Sequence, residues 1–136
     1  MATTRRRYHI EKEIVQELGL VPGYFKSIPE QYLDAEWELF KSQVLRETLV
    51  AIKYKELMGV ALHAGTKCRY CTLFHTETAK LFGATDAEIQ ETIHYATMSV
   101  GWSIYLNGIQ TDLGQYKNEL NQISEYLKTK KVAHAD

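Results

Sequence analysis

Cysteine and proline are scarce in this sequence, with two of each among 136 residues. So few cysteines argue against a disulfide-stapled secreted scaffold, and so few prolines leave long stretches free to be helical. No apolar run approaches the roughly 18 residues that a bilayer crossing needs. The opening MATTRRRYHIEKE carries basic residues with no apolar run behind them, unlike a secretory leader. Neither sign of charge dominates: the formal net charge is −1, which gives no general attraction to nucleic acid. The one basic run, Arg5-Arg6-Arg7, reads as a solvated N-terminal arm. Low-complexity tracts, repeats at solenoid spacing and Gly/Ser linkers are missing too. The expectation is a single soluble domain over 1–136, cytoplasmic, with no membrane or nucleic-acid partner.

What is present is helical periodicity. Ile10, Ile14 and Leu18 recur every four residues with Val15 beside them, which predicts a helix over 8–18 ended by Gly19. A connector follows, with room for one helical turn after Pro22. Pro29 opens a second helix, PEQYLDAEWELFKSQVL, in which Leu33, Trp37, Phe40 and Val44 form one buried face.

A third helix is expected over 47–63, apolar on both sides. Leu45, Leu49, Ile52, Glu56, Gly59 and His63 share one of its faces, and Val50, Tyr54, Leu57 and Ala61 share the other. Gly65 can close it and Thr66 can cap a fourth helix running to about 82, where Gly83 ends it. Thr85-Asp86-Ala87-Glu88 has the spacing of a capping box. It opens a fifth helix with Ile89, Ile93, Ala96 and Val100 inward; His94 on that helix reads as structural. Residues 101–110 are ambiguous because Gly101 and Asn107-Gly108 could each interrupt a helix. Leu113, Tyr116, Leu120, Ile123 and Leu127 pattern a last helix over 112–128. The fold class is all-α, a bundle of about six helices with its core over about 29–128.

The chemistry concentrates in ELMGVALHAGTKCRYCTLFH, from Glu56 to His75. Cys68 and Cys71 are spaced as a redox pair, a metal half-site or a weak staple. Closing so short a loop stabilises by only about 2 kcal/mol, against nearly 5 for a loop of about 100 residues. Neighbours at i and i+3 on a helix can bond with little movement, so the pair suits a disulfide that opens and closes in use. Cys68 near a helix start, beside Lys67 and Arg69, is favoured as thiolate. Cys71 has His75 at i+4, within reach of its sulfur, and Glu56 lies among apolar residues where carboxylates are rare without a task. Zinc stays open at this point. It needs four ligands in a structural site, and Glu56, His63 or His94 would have to complete the set.

The spacing Glu, eleven residues, Cys-x-x-Cys, three residues, His falls on Glu56, Cys68, Cys71 and His75 without a gap. With KEL before it and TLFH and LFGATDAEI after it, the stretch from Leu49 to about Val100 resembles the alkylhydroperoxidase D-like branch of the carboxymuconolactone decarboxylase family. The resemblance implies an all-helical fold assembling as homo-trimers or hexamers. It implies a peroxiredoxin-type, antioxidant oxidoreductase that reduces small hydroperoxides with no bound metal or flavin, reopened by a lipoyl- or thioredoxin-type dithiol. It further implies that Cys71 is the peroxidatic and Cys68 the resolving cysteine, with Glu56 and His75 in proton relay. Tyr70, a secondary position, departs from the best-known peroxidase members, which carry His there; tyrosine is a poor base near neutral pH. Two alternatives remain: a carboxymuconolactone decarboxylase-type lyase acting on a small acid or lactone, and a non-enzymatic oligomer that binds zinc or senses oxidation.

Overall fold

The computed structural model describes residues 2–133, with 2–5 and 131–133 by backbone alone. Every regular element among the described residues is helical: α1 (Ala2–Leu18), α2 (Gly23–Lys26), α3 (Glu30–Phe40) running into a π-helical turn (Lys41–Leu45), α4 (Ile52–Gly65), α5 (Arg69–Leu81), α6 (Asp86–Gly108) and α7 (Leu113–Ala133). The chain divides into two compact units, one ending at Ile93 and one beginning at His94. None of these helices is long and apolar enough to cross a membrane.

The first unit is held by two apolar clusters. In one, Ile10 and Ile14 of α1 meet Phe25 of α2 and Leu33 and Trp37 of α3, the four-residue spacing of each helix supplying a continuous stripe. Phe25 sets its ring edge-on to Trp37 and Phe40, at centroid distances of 5.6 and 5.3 Å. In the other, Val60 of α4, Ala79 of α5 and Ala84 and Ile89 around the start of α6 are packed together with Leu57. At the end of α3 the buried Lys41 ammonium donates to Glu13 and Glu38 and lies 5.5 Å from the Trp37 ring centre. A cation is tolerated there because both carboxylates pair with it, and their hydrogen bonds raise its pKa above the ordinary lysine value.

Three elements differ from the sequence-based expectation. Arg6 and Arg7 belong to a packed helix rather than to a loose arm. α1 begins at Ala2, and Arg6 pairs with Asp34 while Arg7 pairs with Glu11 and donates to the Ile28 carbonyl at 2.6 Å, fastening α1 to α3 and the connector. The Arg5 side chain lies outside the described residues. The third helix starts at Ile52, because Arg46 turns extended and Glu47 folds its carboxylate back to accept the Ile52 N–H at 3.1 Å. Leu49 and Val50 are therefore exposed loop residues rather than helix faces. In the second unit α6 passes through Gly101 unbroken. Ile93 and Val100, expected inward on α6, and Leu113, Leu120, Ile123 and Leu127, which pattern α7, are exposed in the single chain.

The capping box forms as its spacing predicts. The Thr85 N–H donates to Glu88 Oε2 at 2.8 Å, and the Glu88 N–H donates to Thr85 Oγ1 at 3.1 Å. Lys53 of α4 adds an ion pair to Glu88 at 2.6 Å, tying α6 to α4. The Lys53 hydrogen bond, followed by the Thr85 N–H, pulls the Glu88 carboxyl from its ordinary 4.5 down to about 2. Its contribution to stability is present above the unfolded value and is lost as pH falls through the folded one. Resistance to denaturant should therefore fall as pH drops from 4.5 to about 2 in the wild type and fall less in Glu88→Gln. Parallel declines in the two proteins would remove Glu88 as a source of acid sensitivity.

Candidate active site

The site is made where α4 ends and α5 begins. α4 closes at Gly65, and Thr66 stays helical with its N–H on the Leu62 carbonyl, so it cannot act as the cap expected of it. The chain reverses at Lys67, which takes a left-handed φ of 60°. Cys68 is then the extended N-cap of α5, and its Sγ accepts the Cys71 N–H at 3.3 Å, the bond a capping serine would take. Cys68 and Cys71 are joined as a disulfide with their Cα atoms 5.4 Å apart. When the disulfide opens, this cap position holds the Cys68 sulfur against unpaired N–H groups at the positive end of the helix dipole, which favours thiolate.

One helical turn beyond Cys71, α5 presents His75 to α4. Its Nδ1 is 2.7 Å from Glu56 Oε2. Glu56 is 2% exposed, and an ionised carboxylate only accepts, so pairing with it selects the tautomer that carries the proton on Nδ1. The two helices come this close because Gly59 stands opposite the ring. A Cβ there would lie 2.5 Å from His75 Cγ and Nδ1. Glycine costs an α-helix about 1 kcal/mol relative to alanine, and this contact accounts for the glycine at position 59.

His63, in the last turn of α4, is the site residue that the sequence underplays. Its ring stacks on that of His75, with centroids 5.1 Å apart and planes 3° from parallel. Its Nδ1 lies 3.4 Å from Thr66 Oγ1. A ring nitrogen of His63 and the sulfurs of Cys68 and Cys71 all fall within 4.8 Å of one another. The signal was the seven-residue step from Glu56, two turns along the same face. The distance to the sulfurs depends on the reversal at Lys67, which no local pattern announces. Tyr70 points outward, its ring 5.0 Å from the Arg69 guanidinium and its hydroxyl accepting from Arg69 at 3.1 Å. His94 is exposed on α6.

Glu56, His75, His63 and the cysteine pair thus run in sequence from a buried carboxylate to a half-buried disulfide. Residues 31–110 match the carboxymuconolactone decarboxylase family. The chain belongs to that family. In this carboxymuconolactone decarboxylase family member the matched region spans α3 to α6 and contains every residue of the cluster. Among solved structures, the alkylhydroperoxidase AhpD core of Rhodospirillum rubrum is similar at 19% identity with a TM-score of 0.71, over 82% of this chain and 85% of that one. That likeness shows the all-helical fold. No curated protein matches the sequence.

Proposed function

We propose that the protein is a thiol-dependent peroxidase and disulfide reductase, working through Cys68 and Cys71 on small hydroperoxides. The observation that carries this reading is a helix-capping disulfide beside a half-buried His75 paired with the buried Glu56. In the reduced form the Cys71 thiolate attacks the terminal peroxide oxygen. The O–O bond breaks, the leaving alkoxide takes a proton to become alcohol, and Cys71 becomes a sulfenic acid. Cys68 then displaces hydroxide from that sulfur, giving the disulfide and water. An external dithiol of lipoyl or thioredoxin type reopens the bond by exchange and is itself oxidised.

Within this cycle Glu56 holds His75 in one tautomer, and the free Nε2 passes protons to and from the reacting groups. Tyr70, paired with Arg69 at the surface, lies at the rim where an incoming reductant would dock. Reduced protein treated with cumene hydroperoxide should lose both free thiols, and thiols that survive excess peroxide would end the peroxidase reading. The family also contains decarboxylases, and the Glu56–His75 pair could serve proton transfer on a small acid or lactone. Turnover of such a substrate by a Cys68→Ser/Cys71→Ser double variant would favour that second reading.

The open faces of the second unit bear on assembly. Trp102, Ile104 and Tyr105 of α6 and Leu113, Leu120 and Ile123 of α7 are all exposed in one chain, more apolar surface than a monomer usually leaves uncovered. A homo-oligomer, trimer or hexamer, accounts for it. Light scattering should give a mass that is a multiple of 15.7 kDa, and Leu120→Lys/Ile123→Lys should lower it. A wild type that runs as a monomer at micromolar concentration would contradict this assembly.

A further inference from the structure

His63 has no place in the peroxide cycle just described, yet one of its ring nitrogens lies within 4.8 Å of both sulfurs. We infer that the reduced protein binds one Zn²⁺ per chain through His63, Cys68 and Cys71, and that formation of the disulfide expels it. The inference rests on the proposed opening and closing of the cysteine pair and adds a ligand to its reduced state.

The geometry favours the metal. Tetrahedral zinc with bonds of about 2.3 Å to sulfur and 2.0–2.1 Å to nitrogen places its donors about 3.5–3.8 Å apart. The three donors already lie within 4.8 Å of one another. Opening the disulfide moves the two sulfurs from bonding distance outward, toward the separation that zinc requires, by small side-chain rotations on a fixed helix end. Two thiolates and a neutral imidazole bring two negative charges to a divalent cation, and all three groups are only half-buried. The fourth position is left to water, as in three-ligand zinc sites. His75 is a different kind of histidine, its Nδ1 committed to Glu56.

The exchange balances without a further reactant in either direction. Hydroperoxide, two protons and the zinc dithiolate give free Zn²⁺, the disulfide, alcohol and water; dithiol reduction restores the ligands. Zinc bound in this way shares the thiolates that attack peroxide, so oxidation of the cysteine pair and release of the metal are one event.

The test titrates fully reduced protein with Zn²⁺ by calorimetry and with Co²⁺ by absorption, without oxygen. One Zn²⁺ per chain and a tetrahedral cobalt spectrum with a sulfur charge-transfer band are expected, and the oxidised protein should bind neither. His63→Gln should weaken binding about 10²-fold, at or beyond the cost of losing an outer-shell partner. His63→Cys should restore it, and His75→Gln should leave it unchanged. No binding by the reduced wild type, or equal binding by His63→Gln, would overturn the inference. Diamide, which forms the disulfide without peroxide, should release the zinc, and retention would overturn the redox gate. Release by diamide but not by peroxide would count against the peroxidase reading and leave the zinc site standing.

Discussion

Cys71→Ser should bring peroxide turnover down to the uncatalysed level, a loss of several orders of magnitude of the kind seen when a covalent nucleophile is removed. A serine hydroxyl in the same place stays protonated near neutral pH and is a poor nucleophile toward peroxide oxygen. Cys68→Ser should behave differently. Serine is a good N-cap, so α5 keeps its start, and Cys71 can still react once with peroxide. It then stops at the sulfenic acid or oxidises further, because no partner sulfur remains to condense with it. A stopped-flow burst of peroxide loss in Cys68→Ser, with none in Cys71→Ser, is the expected pattern. The reverse pattern would assign the attack to Cys68, whose cap position favours its thiolate.

Gly59→Ala is expected to cost about 10²-fold in kcat/KM, the scale of a displacement near 1 Å in a catalytic group. The added methyl would sit 2.5 Å from His75 Cγ and Nδ1 and 2.7 Å from Cδ2. No rotation of the methyl relieves this, so the imidazole must leave its place, and with it the 2.7 Å bond to Glu56. Stability should fall by a smaller factor than activity. Alanine adds about 1 kcal/mol of helix preference, which offsets part of the roughly 3–5 kcal/mol cost of leaving a buried charge without its partner. Gly65→Ala is the matched control: nothing lies within 4 Å of its Cβ, so activity should be retained. Denaturant unfolding separates positioning from a general loss of fold, because a displaced His75 lowers turnover in a protein that still unfolds cooperatively. Wild-type turnover in Gly59→Ala would mean that the Glu56–His75 geometry is not used.

Much of this arrangement is legible in the residues. Leu33 and Trp37 sit in the core because a four-residue step puts them on one stripe of α3, and Thr85 and Glu88 cap α6 because their side chains reach each other's N–H groups. Glu56 is buried where its apolar neighbours place it. Other features depend on what distant or competing groups do. Periodicity carries the third helix back to 47, but the Glu47 side chain takes the Ile52 N–H and the helix begins five residues later. Thr66 has the chemistry of an N-cap, but it serves as the C-cap of α4, and Cys68 takes the N-cap role after Lys67 turns left-handed. That reversal decides which histidine meets the sulfurs. The i+4 rule points to His75, and the folded chain brings His63 within range of both. The apolar faces of α6 and α7 are equally readable as helices, while their exposure reflects surfaces that one chain alone does not cover.

In the proposed cycle Cys68 and Cys71 pass between dithiol and disulfide at the expense of a hydroperoxide. Mass spectrometry of the peptide carrying both residues tests it most directly, with fully reduced protein sampled before and after stoichiometric peroxide and alkylated to mark free thiols. The expected result is conversion of the doubly alkylated peptide to the unalkylated disulfide, reversed by an added dithiol and absent in Cys71→Ser. A peptide that remains doubly alkylated after peroxide would contradict the account.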